Sequence, residues 1–445
     1  MASVAGNSQL HSLAKTSGIA QQSLLFPFSA FMFRIGLALV TFEQIRPFFG
    51  IQLSDYCFFM ALPGFFAQTK LRAGKIRGSG ILLAAALVLM GSVLSLRNAT
   101  SLDDAAGPLV RLFVLFALFA PLALLHSKNI RENMLFLMSG IFVNCVITLL
   151  QASIFPSIAD VLSINPTRPD ISESGRFQGL TSHPNIIGLS AALAVMIGIG
   201  LLSFEENRHI RRRLLIVVFV CTLAGLLSGS RAVFVSLIPS LIFFTILQKQ
   251  RRALVRGIVA LVVLWGGLTY IAPAIISQFS ERLDSTGSNF YSDYGRLWST
   301  VYTVEEIREK PFLGWGVDHL DDAGLTVVPG TGEIVGAHNT FLKYWHGAGL
   351  LGALGFLAIF ALPSRHMWQL LKQKLPEPPS NALKLSLSCF VLLFIVSNLG
   401  PFDYNRFLYV PLFSFAGFAV SLLTPAIVRR HPIGAMNSTT NATAT

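Results

Sequence analysis

The sequence predicts an all-α polytopic membrane protein with about twelve transmembrane helices. Hydrophobic residues occupy 53% of its 445 positions and charged residues only 13%, a composition too apolar for a soluble globular protein. Apolar runs of about 20 residues recur along the chain, and this length spans the roughly 30 Å hydrocarbon core of a bilayer. We therefore expect one membrane domain over 1–445, interrupted by loops, rather than a series of soluble domains.

Twelve apolar segments are predicted to be the membrane helices. They lie at about 24–42, 51–67, 80–96, 107–125, 134–155, 185–204, 214–229, 231–247, 254–276, 338–361, 385–398 and 404–424. Charged residues, glycines and prolines bound most of them, as is typical of helix ends. The proline-rich stretch 375–384 is predicted to be a polar connector between two of them.

The positions of lysine and arginine predict the orientation. Basic residues cluster in alternate loops, for example at 70–77 and 208–213, and such clusters are retained on the cytoplasmic side. Both termini are then cytoplasmic, including a low-complexity tail at 432–445 that is predicted to be disordered. Two long loops face the opposite side: a smaller one at 156–184 and a large one at 277–337.

The large loop is the expected location of the functional site, because it is charged and aromatic between two apolar segments. Leu297, Val301 and Val304 recur at helical spacing, which predicts an amphipathic helix over 293–309. The run PFLGWG follows, and its proline and glycines predict a turn. The loop ends where the tenth apolar segment begins, so we expect a site at the membrane surface.

Three arginines on the loop side of the membrane are candidate ligands of an anion: Arg176, Arg231 and Arg296. Each alone is equally compatible with an arginine that extends toward phospholipid headgroups. A guanidinium group binds two phosphate oxygens at once and does not lose its charge. Three of them together would suit a diphosphate.

His338 is the candidate general base. It precedes the tenth apolar segment, beside Asn339, at the end of the large loop. A histidine in this position is also commonly a capping or surface residue. A neutral imidazole can nevertheless accept the proton of an attacking hydroxyl group.

Neither a metal site nor a disulfide framework is predicted. The histidines and carboxylates show no metal-ligand spacing, and each of the four cysteines stands alone in an apolar run. Buried cysteines of this kind usually pack as small hydrophobic residues. We therefore expect no cofactor and no metal ion.

Four motifs, spread over about 170–355, resemble those of a known family: SGRFQGLTSHPN, LLSGSRA, YGR…EKPFLGWG and AHN…GLLG. Together and in this order they resemble the O-antigen ligase family. Its wider superfamily also contains O-antigen polymerases and O-linked oligosaccharyltransferases. The resemblance implies a GT-C-type membrane glycosyltransferase of lipopolysaccharide biosynthesis, acting at the periplasmic face of a Gram-negative inner membrane.

The resemblance also implies substrates and roles. The donor would be a glycan on undecaprenyl pyrophosphate and the acceptor a hydroxyl of lipid A–core, with inversion at the anomeric carbon and no metal ion. The family's motif arginines map onto Arg231 and Arg296, and more loosely onto Arg176, and its motif histidine maps onto His338. The candidate supporting residues are Asn339, Tyr294, His183 and Ser230. Membrane lipids are expected as further partners, and nucleic acid is not.

Other functions remain open at this stage. A polymerase or a protein O-oligosaccharyltransferase would share part of the motif set. A transporter or flippase is the alternative outside the enzymes, and it would carry ionisable groups deep in several helices. Here Arg34, Arg111 and Lys343 are the only lysines or arginines clearly within the predicted spans.

Overall fold

The computed structural model describes residues 26–48, 51–72, 80–164, 176–249, 288–327, 334–373 and 375–430. Fourteen α-helices can be defined in these ranges, and the bounds are as follows: α1 Phe26–Leu39, α2 Leu53–Arg72, α3 Gly80–Ser95, α4 Leu102–Phe113, α5 Ala120–Leu125, α6 Ile130–Ser153, α7 Ile158–Leu162, α8 Pro184–Leu202, α9 Arg208–Leu227, α10 Ala232–Gln248, α11 Ser288–Glu309, α12 Thr340–Leu371, α13 Glu377–Ser397 and α14 Arg406–Arg430. A two-stranded antiparallel pair joins β1, Thr326–Val327, to β2, Ile334–Val335.

Five helical stretches among the described residues are long and apolar enough to cross a membrane: Gly80–Asn98, Leu102–Ser153, Pro184–Leu202, Thr340–Leu371 and Glu377–Ser397. The shorter apolar helices are Phe26–Leu39, Leu53–Ala67, Ala232–Gln248 and Arg406–Leu422. Every predicted apolar segment that falls within the described residues coincides with a helix. The predicted span 254–276 and the tail 432–445 lie outside these residues. The chain is an integral membrane protein in which helices dominate.

Two local features differ from the predicted pattern. The polar connector predicted at 375–384 is wrong, because α13 begins at Glu377. Its prolines occupy the first turn, where the missing N–H group has no helical partner in any case. The predicted single helix over 107–125 contains a π-helical segment, Val114–Phe119, between α4 and α5.

The helices α3 and α12 pack with their backbones in contact. A methyl group added at Gly91 would lie 2.5 Å from the backbone nitrogen of Gly352, and one at Gly355 would lie 2.7 Å from that of Val88. Small residues allow this close approach, and van der Waals contact is a main source of helix association in membranes. The glycines of the late motif therefore hold α12 against α3.

A kink at Gly349 interrupts α12 and receives part of the large loop. Gly349 has φ 67° and ψ −166°, which breaks the helical hydrogen bonding at this point. The backbone N–H of Leu350 donates to the carbonyl of Phe312 at 3.1 Å, and the carbonyl of His346 accepts from the N–H of Trp315 at 2.7 Å. The PFLGWG run thus takes the place of the missing turn of helix.

Side chains reinforce this junction between loop and helix. The indole of Trp345 donates to the carbonyl of Pro311 at 3.0 Å, and the indole of Trp315 donates to the carbonyl of Glu306 at 2.9 Å. Asn98, which lies just before α4, donates to the carbonyl of Gly314 at 2.7 Å. The loop is therefore fixed to α12 and to the start of α4 rather than free above the membrane.

The helix α11 covers the segment predicted to be amphipathic, and two of its polar residues are buried. Ser299 and Thr303 are fully buried, and the hydroxyl of Ser299 donates to the carbonyl of Gly324 at 3.1 Å. Leu297 and Val301, on the predicted apolar face, are 63% and 47% exposed. These two apolar residues therefore point away from the protein, whereas Ile307 on the same helix is buried.

The kink can be tested with the substitution Gly349→Ala. A Cβ atom at this position would clash with the carbonyl oxygen of Phe312, and the positive φ is itself unfavourable for alanine. We expect a loss of stability of about 1–3 kcal/mol, measured as a lower unfolding temperature in detergent. Gly107→Ala in α4 is the control, since nothing lies within 4 Å of its Cβ, and it should be neutral or stabilising. Equal behaviour of the two variants would show that the kink is not required.

Candidate active site

His338 lies in the short segment between β2 and α12, and its tautomer is determined by one hydrogen bond. Its Nδ1 atom is 2.8 Å from the carbonyl oxygen of Gly336. A carbonyl can only accept, so Nδ1 carries the hydrogen and Nε2 keeps its lone pair in the neutral ring. This is the protonation pattern that a general base requires.

The surroundings of His338 favour the neutral ring. Burial lowers the pKa of His338 from its ordinary value of 6.5, and the hydrogen bond to Gly336 opposes this effect. The positive charges of Arg296 and Lys343 lower the pKa further. The imidazole is therefore uncharged at neutral pH, and Arg296 lies close enough to act on it electrostatically.

The connection between α13 and α14, residues 398–405, holds the first turn of α12. Asn339 caps the helix and also donates from its amide to the side-chain oxygen of Asn398 at 3.2 Å. The hydroxyl of Thr340 donates to the carbonyl of Gly400 at 2.8 Å and accepts from the N–H of Phe402 at 2.9 Å. The residues that follow His338 are therefore fixed by hydrogen bonds, and Asn339 has a structural role.

A buried ion pair strengthens the same contact. The ammonium group of Lys343 lies 2.5 Å from a carboxylate oxygen of Asp403, and the two side chains are only 5% and 3% exposed. The hydroxyl of Tyr344 donates to the backbone carbonyl of Asp403. On the loop side, a carboxylate oxygen of Asp321 lies 3.8 Å from Lys343. Removing one partner of such a pair would leave an uncompensated charge in the interior.

Arg176 contacts the tight turn between α9 and α10, and Arg231 is the last residue of this turn. Arg231 directly precedes α10. Ser228 lies three residues before Arg231, and its carbonyl accepts a hydrogen bond from the Nε atom of Arg176 at 3.0 Å. The terminal nitrogen of Arg176 donates to the side chain of Asn185. Gly229 has φ 61°, which allows the chain to turn sharply here. Arg176 therefore supports the turn that presents Arg231.

His183 lies at the start of α8, and Ser230 lies in the turn between α9 and α10. The Nδ1 atom of His183 accepts from the N–H of Asn185 at 3.0 Å and so caps α8. Ser230 is buried, and its N–H donates to the hydroxyl of Ser228 at 3.3 Å. Gly188 on α8 makes room for both serines, because a methyl group there would lie 2.5 Å from the hydroxyl of Ser228.

Arg296 and Tyr294 lie on α11, above the entry to α12. Both side chains are partly buried, and the ring of Tyr294 stacks on Trp298 with 6.2 Å between the ring centroids. Of the predicted residues, Arg296 and His338 thus form one group, and Arg176 and Arg231 form another.

Glu43 connects the two groups, and the sequence did not single it out. This carboxylate is 3% exposed and lies in the segment between α1 and α2. One oxygen accepts from the N–H and the hydroxyl of Ser182 at 2.9 and 2.6 Å, and the other accepts from the amide of Asn405 at 2.7 Å. Ser182 precedes the His183 cap, and Asn405 ends the connection that holds α12. In the sequence, the only feature that could have indicated Glu43 is its position as a single carboxylate directly after an apolar segment.

The basic residues predicted within spans all have partners. Arg34 pairs with Glu132 at 2.5 Å, Arg111 lies over the ring of Tyr404 at 5.5 Å, and Lys343 pairs with Asp403. In the part of the chain that the structure describes, no group of three or more histidines, cysteines and carboxylates could hold a metal ion.

The segment that carries these features matches a known family model, described as O-antigen ligase, over residues 215–357. The matched segment, 143 of the 445 residues, is similar to the O-antigen ligase family. The match contains Arg231, Arg296, His338 and the Gly349 kink, whereas Arg176 and Glu43 lie before it. Proteins of this family are membrane glycosyltransferase-like enzymes, both ligases and polymerases. No curated protein matches the chain.

The bridging role of Glu43 predicts the effect of Glu43→Gln. The amide can accept with only one atom, so at least one buried donor of Ser182 or Asn405 loses its partner. A buried unsatisfied group costs about 1–3 kcal/mol, and we expect a lower unfolding temperature together with reduced glycan transfer per folded molecule. Glu206→Gln, at an exposed position before α9, is the control. Wild-type stability and transfer in Glu43→Gln would contradict the bridge.

Proposed function

We propose that the chain is an O-antigen ligase that transfers a polysaccharide from undecaprenyl pyrophosphate to a sugar hydroxyl of lipid A–core. The observation that carries this proposal is the state of His338: a neutral imidazole, oriented through Nδ1 by Gly336, with Arg296 nearby and within the matched segment. The resemblance of the motifs supports the two substrates. In this proposal the site faces the periplasm and both termini are in the cytoplasm.

The donor's pyrophosphate is held by arginine. Arg231 and Arg296 bind its oxygens, and Arg176 assists by fixing the turn that carries Arg231. Negative charge grows on the leaving pyrophosphate as the glycosidic bond breaks, and preorganised cationic donors stabilise that charge. Guanidinium groups suit this role because they remain charged and bind phosphate oxygens in pairs.

The transfer is a single displacement. An acceptor hydroxyl gives its proton to Nε2 of His338 while its oxygen attacks the anomeric carbon. The bond from this carbon to the pyrophosphate oxygen breaks on the opposite face, and the bonding electrons leave with the pyrophosphate. The configuration inverts, and the imidazolium then returns its proton to solvent.

The exposed apolar side of α11 supports a location at the membrane surface. Leu297 and Val301 would lie among lipid chains, while the polar side of the helix remains bonded to the loop. Arg296 is on the same helix, so α11 would bring it to the level of the lipid-linked donor's headgroup.

A deletion strain separates the ligase from a polymerase. For a ligase, lipopolysaccharide should lose its long glycan ladder while undecaprenyl-linked polymer accumulates, because polymerisation continues without transfer. Gel analysis of lipopolysaccharide and mass spectrometry of the lipid-linked pool provide the measurement. A core that carries a single repeat unit would instead show that the chain is a polymerase.

His338→Ala should remove the base without removing the donor site. We expect turnover to fall about 10²- to 10⁴-fold, while binding of the lipid-linked donor to the purified protein changes little. His209→Ala, at an exposed position at the start of α9, is the control. Near wild-type transfer by a folded His338→Ala protein would show that His338 only caps the loop.

The pH profile connects His338 to Arg296. Because the pKa of His338 is lowered, wild-type activity should persist below pH 6.5 and decline only when the ring becomes protonated. Arg296→Gln removes a charge that lowers this pKa, so the acid limb should move to higher pH. Arg231→Gln should impair donor use without this shift, because Arg231 lies at the turn between α9 and α10, in the other group of candidate residues. An acid limb at the same pH in both variants would contradict the assignment of His338 as the base whose pKa Arg296 lowers.

A further inference from the structure

A pocket of about 250 Å³ lies at the end of the helix bundle opposite His338. It is enclosed by the start of α3, the last third of α12 and the middle of α14. Its lining residues are Gly80, Ile81, Leu362, Pro363, Arg365, His366, Gln369, Ala416 and Val420. His366 follows the Gly349 kink by 17 positions along α12, a separation of about 25 Å at 1.5 Å per helical residue, and His338 lies on the other side of the kink. The pocket is therefore distinct from the candidate active site.

Small residues and a proline are among the residues that line the pocket. Gly80 contributes no side chain, and Ala416, opposite it, contributes only a methyl group. Pro363 lies inside α12 and has no N–H group, so the carbonyl of Ile359, four residues earlier, lacks its helical donor. At Gly80 itself α3 and α12 are in close contact, because an added Cβ would lie 2.8 Å from the side chain of Leu362.

The lining has two chemically different sides. Ile81, Leu362 and Val420 form an apolar side, while Arg365 and His366 provide cationic or hydrogen-bonding groups. The Nε2 atom of His366 is buried and makes no hydrogen bond within the described part of the chain. Buried polar atoms normally have a partner, so this nitrogen is available to a ligand that enters the pocket.

We propose that this pocket binds the phosphodiester headgroup of an anionic membrane phospholipid. Its volume is below the roughly 300–1,000 Å³ of pockets that enclose a whole small molecule, so it suits a headgroup whose acyl chains remain in the bilayer. The arginine fork binds phosphate oxygens, and the apolar side contacts the glycerol and upper chains.

Two further observations favour a lipid over a soluble phosphate. Trp368, in the next turn of α12, is 45% exposed, and tryptophan is enriched where helices leave the bilayer. Arg365, one of the lining residues, is exposed and lies within the last two turns of α12, and anionic lipid surfaces attract basic side chains near helix ends. The lipid would hold together the ends of α3, α12 and α14.

The experiment compares two lipids with identical acyl chains, phosphatidylglycerol and phosphatidylcholine. Native mass spectrometry of the detergent-purified full chain, titrated with each lipid, counts the bound molecules. We expect one phosphatidylglycerol to be retained preferentially by the wild type. Arg365→Gln combined with His366→Gln should weaken this binding at least about tenfold, as expected for a lost charge-assisted hydrogen bond. Glycan transfer in detergent should not change.

The matched control is Arg212→Gln combined with His209→Gln in the first turns of α9. These exposed residues undergo the same changes in type and charge but lie outside the pocket. Equal losses in the two double variants would attribute the binding to general surface charge and overturn the proposal.

Two results with the unmodified protein also decide the question, whatever the folding of the variants. Equal retention of phosphatidylglycerol and phosphatidylcholine would show that the phosphate charge is not recognised. Complete displacement of phosphatidylglycerol by millimolar glycerol phosphate would show a site for a soluble phosphate instead. Failure of glycan transfer in the wild type would contradict the proposed function but not this lipid site.

Discussion

At Gly349, backbone hydrogen bonds to the PFLGWG run replace those that α12 lacks, and the arrangement of the candidate site depends on this replacement. Inside a bilayer, an unpaired backbone group is costly because no water is available to bond with it. The break in α12 is tolerated because Phe312 and Trp315 supply the acceptor and the donor that the helix lacks. The large loop is therefore part of the helical framework. Arg296 lies before Phe312 in the loop, and His338 lies before Gly349 at the start of α12. The hydrogen bonds between these two segments therefore help to fix Arg296 relative to His338.

Buried polar groups complete the framework around the entry to α12. Lys343 and Asp403 bind each other in a nearly inaccessible position, and Glu43 binds three donors from two distant segments. Such networks contribute less to net stability than to specifying one arrangement, because any alternative leaves a charge or a donor without a partner. The candidate site lies next to both the Lys343–Asp403 pair and the hydrogen bonds of Glu43. The geometry at His338 is thus determined largely by residues that would not contact a substrate.

The sequence predicts the helices well and the polar contacts poorly, for a physical reason. Apolar length is a local property, so the segments at 80–96 and 185–204 correspond closely to α3 and α8. The arginines and His338 could be selected because their chemistry is unusual at a membrane surface. The bond from Asn405 to Glu43 joins residues 362 positions apart, and no periodicity encodes such a pair. The direction of α11 was equally hidden, since its amphipathic pattern does not reveal which side meets the protein.

The junction at the kink also constrains how this part of the chain can vary in length. The carbonyl of Phe312 and the N–H of Trp315 must reach two backbone groups whose spacing is set by the geometry of α12. An inserted or deleted residue between these positions would bring one of the two groups out of register with its partner. Related chains are therefore expected to differ in length elsewhere in the large loop, while the interval from Pro311 to Gly316 keeps a constant number of residues.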